Sequence, residues 1–134
     1  MTAQLVMHGE WEDNYDDASH PIPSLNAVDI QVVKRGGGSD LIIMIASPLR
    51  ADERSLRRLL SKIENYLGFL LSPECRAKAG VATPDNTSII VRMHPTSDVA
   101  AFDLIEKCKP WVMDNNASLK MELLGVENPL GGAK

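Results

Sequence analysis

The chain has 134 residues, 44% of them apolar and 24% charged, with a formal net charge of -4. Those values fit one ordinary globular domain and exclude a disordered, collagen-like or multi-span membrane chain. A domain of this length buries roughly two-thirds of the surface of its unfolded chain, so it needs no disulfide or metal staple.

The acidity is unevenly placed. Residues 1–27 contain Glu10, Glu12, Asp13, Asp16 and Asp17 and no Lys or Arg, whereas the remainder holds 14 basic against 13 acidic groups. A self-repelling leader of this kind packs poorly. Residues 1–22 are therefore expected to form an acidic, largely irregular arm, with Leu5 and Trp11 available to dock on the body. His20-Pro21-Ile22-Pro23 closes it with a stiff extended stretch.

A single α/β domain is expected over 23–124. Val28-Asp29-Ile30-Gln31-Val32 alternates apolar and polar residues, the period of a half-buried strand. Gly36-Gly37-Gly38 then reads as a flexible hairpin tip. The run 41–46 is apolar throughout, as in a strand covered on both faces. After Pro48 comes the clearest element, a helix over about 51–71. Its Leu56, Leu59, Leu60, Ile63, Leu67, Leu70 and Leu71 follow helical spacing. Residues 72–87 read as a loop with one turn of helix around 74–78. A third strand, 88–94, stops at Pro95.

A second helix begins at Thr96, Ser97 or Asp98, with Ala101, Phe102, Ile105, Cys108 and Val112 on its core face. Pro110 should kink or end it near Lys109. Residues 118–123 alternate as a last strand, and 125–134 read as a flexible tail. The order is β-β-α-β-α-β. The expected fold class is α+β, or an α/β two-layer sandwich: a four-stranded mixed sheet with two helices on one face. Strand order is not legible.

The Ala27-Val28-Asp29-Ile30 start, the hairpin and the helix stretch Lys62-Ile63-Glu64-Asn65-Tyr66-Leu67-Gly68-Phe69 resemble a group of small bacterial proteins catalogued only as a domain of unknown function. In that group a Lys-Ile-Asn-x-Tyr-like stretch follows a β-hairpin, and a later strand ends near a Lys-Tyr-x-Pro-like motif, where this chain has Met93-His94-Pro95. The likeness covers about 27–123, and it departs at Glu64 and His94. It implies the fold order and a bacterial, intracellular setting, but no activity and no binding residue.

Cys75 and Cys108 share no CxxC spacing, which argues against a disulfide framework or zinc site. The longest apolar run is too short to cross a bilayer, and the N-terminus lacks the pattern of a secretory signal. A cytoplasmic location, no metal and no cofactor are expected. His8, Glu10 and Glu12, with Asp13, Asp16, Asp17 and His20 nearby, offer metal-type ligands without preset geometry.

Arg50, Arg54, Arg58 and Lys62 recur every four residues, with Arg57 beside them, on the side of the helix opposite its leucines. They read as a basic stripe for an anionic partner or a protein, or as a solvated face with i, i+4 pairs. The acidic arm folding over the stripe is a third possibility. Nucleic acid is disfavoured, because few aromatics accompany the stripe and the net charge opposes a polyanion. Cys75 and His94 form the one conceivable nucleophile–base pair, with Cys108 expected in the core. The apolar run 41–46 calls for a cover on the second sheet face, either the N-terminal arm or a second copy of the chain. The expected role is therefore a small protein-interaction module, such as an accessory or immunity-type inhibitory partner, and a homodimer. Anion binding and cysteine chemistry are the alternatives.

Overall fold

A computed structural model describes residues 16–125. The glycine-linked hairpin pairs β1 (Ile30–Val33) with β2 (Ser39–Ile45) antiparallel, in the register Ile30 to Ile42 and Val33 to Ser39. Two helical crossovers then lay β3 (Ser88–Met93) parallel to β2 and β4 (Ser118–Leu123) parallel to β3. The sheet is mixed, four-stranded and open, with its strands in chain order, β1-β2-β3-β4.

The helices are α1 (Glu53–Leu70), α2 (Pro73–Ala79) and α3 (Val99–Met113). Each starts at a side-chain cap: Asp52 accepts from Ser55 N–H, Ser72 from Cys75 N–H and Asp98 from Ala100 N–H. The expected single turn within the loop is thus a capped helix of two turns. Pro110 neither ends nor shortens α3, which runs on to Met113. The proline removes one donor in the last turn, and Glu106, whose carbonyl loses that bond, lies on the exposed side of the helix.

One core joins the helices to a single face of the sheet. Leu41, Ile43 and Ile45 of β2 and Ile89, Val91 and Met93 of β3 meet Leu59, Ile63 and Leu70 of α1 and Ala101, Ile105 and Val112 of α3. Cys108 belongs to this core, as its helical position predicts. Ile22 and Leu25 are 1% exposed and belong to it too, so the packed body begins before residue 23.

The hairpin tip is pinned, not free. Gly38 N–H donates to Ala79 C=O at 2.7 Å, and a Cβ on Gly38 would collide with the Asn86 backbone. Its φ of +88° also favours glycine. Among the described residues no helix is long and apolar enough to cross a membrane.

Candidate functional site

The basic stripe divides along its length. Arg50, Arg54 and Arg57 lie on the exposed side, but Arg58 and Lys62 are each 1% exposed. The expectation that all five form one exposed stripe is therefore corrected, and the described end of the acidic arm lies on part of it, Asp17 on Arg54 and Ile22 on Arg58. A helix flank becomes interior once a second layer lies on it, and residues 17–29 supply that layer without forming a helix or a packed strand of their own.

The contacts run in order along both segments. Arg54 Nη2 donates to Asp17 at 2.7 Å. His20 Nδ1 accepts from Ile22 N–H at 2.9 Å, which leaves the ring proton on Nε2 to face Ser55 Oγ at 2.9 Å. Arg58 donates from Nε and Nη2 to Ile22 C=O, at 3.0 and 2.6 Å. Lys62 Nζ donates to Ser24 C=O at 2.6 Å and to the Asp29 carboxylate at 2.8 Å. Asn65 Nδ2 donates to Leu25 C=O at 2.7 Å.

Tyr66 closes the series. Its hydroxyl accepts from Asp29 N–H at 2.7 Å and donates to Ile42 C=O at 3.1 Å, and its ring lies 5.8 Å beneath Lys62 Nζ. The second Asp29 oxygen accepts from Met44 N–H at 3.0 Å. The carbonyls of Ile22, Ser24 and Leu25 turn to the helix, whereas Pro23 C=O turns back to accept from Asp17 N–H at 2.8 Å; Pro21 and Pro23 themselves have no N–H to compete for those acceptors. A buried cation takes up those acceptors better than a neutral side chain would.

The local chemistry follows from this packing. Burial, together with the Arg58 and Arg54 cations, holds His20 below its ordinary pKa. Hydrogen bonds from Ser19 and Arg54 hold the Asp17 carboxyl well below the usual carboxylate range. Burial pushes the Tyr66 phenol up.

The conceivable nucleophile–base pair is not brought together. Cys75 is 2% exposed in α2, burial raises its thiol pKa, and Gln31 Nε2 lies 3.7 Å from its sulfur. Gln31 aligns with Leu41 and Ile89, near the start of β3, whereas His94 follows the end of that strand. The His94 ring instead accepts from Thr96 N–H at 3.1 Å.

Two hollows accompany these groups. A shallow groove of about 370 Å³ between α1 and α3 is lined by Leu56, Leu60 and Leu104, with Glu53 and Arg57 on its rim. The second, about 360 Å³, lies at the C-terminal ends of β2 and β3 among Pro48, Leu49, Arg50, Thr96 and Asp98. That end of a parallel sheet often receives phosphates at helix N-termini. Here Asp52 and Asp98 already cap α1 and α3 with negative charge, which opposes an anion. Among the described residues no group of three or more His, Cys, Asp or Glu could hold a metal. His8, Glu10, Glu12 and Asp13, and the docking of Leu5 and Trp11, lie outside the described residues.

The second sheet face and the β1 edge are different in character. Strand alternation puts Ile30, Val32, Ile42, Met44 and Ile90 on the face opposite the helices, and no described element packs there. Ile30 and Val32 are 38% and 48% exposed, and Val33, on the other face of the edge strand, 43%. Sequence reasoning pointed to this face through the run 41–46 and read 28–32 as a strand, but its place at the sheet edge was not legible because strand order is not.

No family model, no curated protein and no solved structure matches the chain.

Proposed function

We propose that the protein is a small binding module that engages another protein through the β1 edge and the adjoining open face of the sheet. The observation behind this reading is the clustering of exposed apolar side chains. Among the described residues, three exposed large hydrophobics fall within the four residues of β1, whereas Leu60, Leu71, Val81, Val99, Met113 and Leu123 are dispersed. Scattered apolar residues are ordinary, but a contiguous patch with a polar border marks an interaction surface. The border here is Lys34 with Asp40 and Arg92 with Glu122.

Anion binding by the helix is the weaker reading, because Arg58 and Lys62 are spent on main-chain carbonyls. Two free, buried cysteines suit a reducing compartment such as the cytoplasm.

The test is site-specific photo-crosslinking in lysate of the source organism, with the probe at Ile90 and a control probe at Val81. A discrete product from Ile90 alone, persisting in high salt and lost on Met44→Lys, is the expected result. Equal labelling from both positions, or a product abolished by salt, would overturn the reading.

A further inference from the structure

The two edges of the sheet are built differently. β4 carries Lys120 and Glu122, the charges that proteins use to keep a strand edge from pairing. β1 reads Ile-Gln-Val-Val, with no charge, no proline and apolar side chains exposed on both its faces. An edge of this composition is a template for another strand.

Its hydrogen-bonding register can be followed. Lys34 N–H donates to Gly38 C=O at 3.0 Å, and the ladder pairs Val32 with Asp40 and Ile30 with Ile42. Antiparallel ladders alternate, so the main-chain groups of Ile30 and Val32 face β2, while those of Gln31 and Val33 face outward.

We infer that the occupant of this edge is β1 of a second copy of the chain, antiparallel and centred on Val32. The inference rests on the binding-module reading and gives that surface its first partner. A two-fold axis normal to the sheet then sets Gln31 against Val33 of the partner copy in both directions, with reciprocal main-chain hydrogen bonds. Val32 faces its own equivalent across a non-hydrogen-bonded position.

Charge complementarity selects this register. It sets Arg35, exposed at the hairpin tip, opposite Asp29 of the other copy, whose carboxylate, held by Lys62 and Met44 N–H, keeps 24% exposure towards a second cation. Shifting the centre to Gln31 sets Asp29 against Val33 instead. The four-stranded sheet becomes eight-stranded, and because the axis is normal to it, both open faces lie on one side. Ile30 and Val32 of the two copies then lie side by side on that side. The interface is at the small end of the range, below about 1,200 Å², so the dimer is reversible and micromolar.

Sedimentation velocity of the full chain from about 1 to about 500 µM, spanning that affinity range, should show the mass rising from monomer to dimer. Val32→Cys should give a disulfide-linked dimer under mild oxidation, because directly opposed Cβ atoms at such a position are within bridging reach. Leu123→Cys should not, and the native cysteines are buried. Val32→Lys and Arg35→Glu should each weaken the dimer at least about tenfold, by like-charge opposition, with unchanged circular dichroism. A folded monomer at every concentration with no Val32→Cys bridge would overturn the inference. If that monomer still gives the salt-resistant Ile90 product, the binding-module reading stands alone. A dimer giving no product but itself would uphold the inference and remove the outside partner.

Discussion

Arg54 and Arg58 lie one helical turn apart on the same helix, with the same chemistry and the same spacing pattern. Arg54 keeps 45% of its side chain in water and meets Asp17 there. Arg58 is 1% exposed and donates twice to the Ile22 carbonyl. The same split separates Arg57, paired with Glu53 at the surface, from Lys62, enclosed between Ser24, Asp29 and Tyr66. Periodicity assigns a side chain to a direction around the helix. What occupies that direction is a tertiary matter, and here it changes along the helix from water to the irregular segment 20–29. The half near the helix start is electrostatic surface; the other half is an interior fastening.

The sharpest break of this comparison is Lys62→Met. It leaves the partly exposed Asp29 carboxylate and the Ser24 carbonyl without their buried cation, and the cost should lie at or just below the low end of that for breaking a buried pair, about 3 kcal/mol. Urea unfolding should show it, and pairing it with Asp29→Asn should recover part of the loss. Arg58→Ala should follow at about 2 kcal/mol, the usual range for bonds to a charged donor. Arg58→Lys should recover only part, because one ammonium cannot reproduce the guanidinium fork on a single carbonyl. Tyr66→Phe should cost about 1–2 kcal/mol, since it strips Asp29 N–H and Ile42 C=O of a shared hydroxyl.

His20 adds a pH signature. Its folded pKa lies below the ordinary 6.5, so the unfolded chain binds the proton more readily. The stabilising contribution is complete above about pH 6.5 and falls as pH drops through that value towards the folded one. Unfolding free energies measured from pH 7 to pH 5 should decline in the native chain, and His20→Gln should flatten the decline. Arg54→Ala, at the exposed end, should change stability by no more than about 0.5 kcal/mol, and less still in high salt. An Arg54 effect as large as that of Arg58 would erase the distinction between the two halves.

Much of the fold was legible. The continuous apolar run of β2, the heptad-like leucines of α1 and the alternation of β4 place the strands and long helices within a few residues of their observed bounds. The misses have local causes. Pro110 is tolerated because it sits one turn from a helix end on a wet side. Gly38 reads as looseness in sequence, yet the backbone of Asn86 approaches so closely that only glycine fits. The candidate site was half legible. Arg58 and Lys62 were identified as part of a stripe facing a partner, solvent or the folded-back arm, and the choice among these was not legible, because nothing in their own segment announces that Ile22 and Leu25 lie beside them. A faint signal existed in Ser55, Arg58, Lys62 and Tyr66, which share one face with neutral or aromatic neighbours.

The sequence by itself determined the element types, the α+β order and the apolar face that each element must bury, because hydrophobic period and chain punctuation are local properties. Only the tertiary structure decided which cations became interior, which sheet edge stayed open and how the strap of 17–29 lies along α1. Those outcomes depend on contacts between residues 33 to 40 positions apart. Sequence patterns constrain such contacts weakly, and burial enforces them only once the chain has closed on itself.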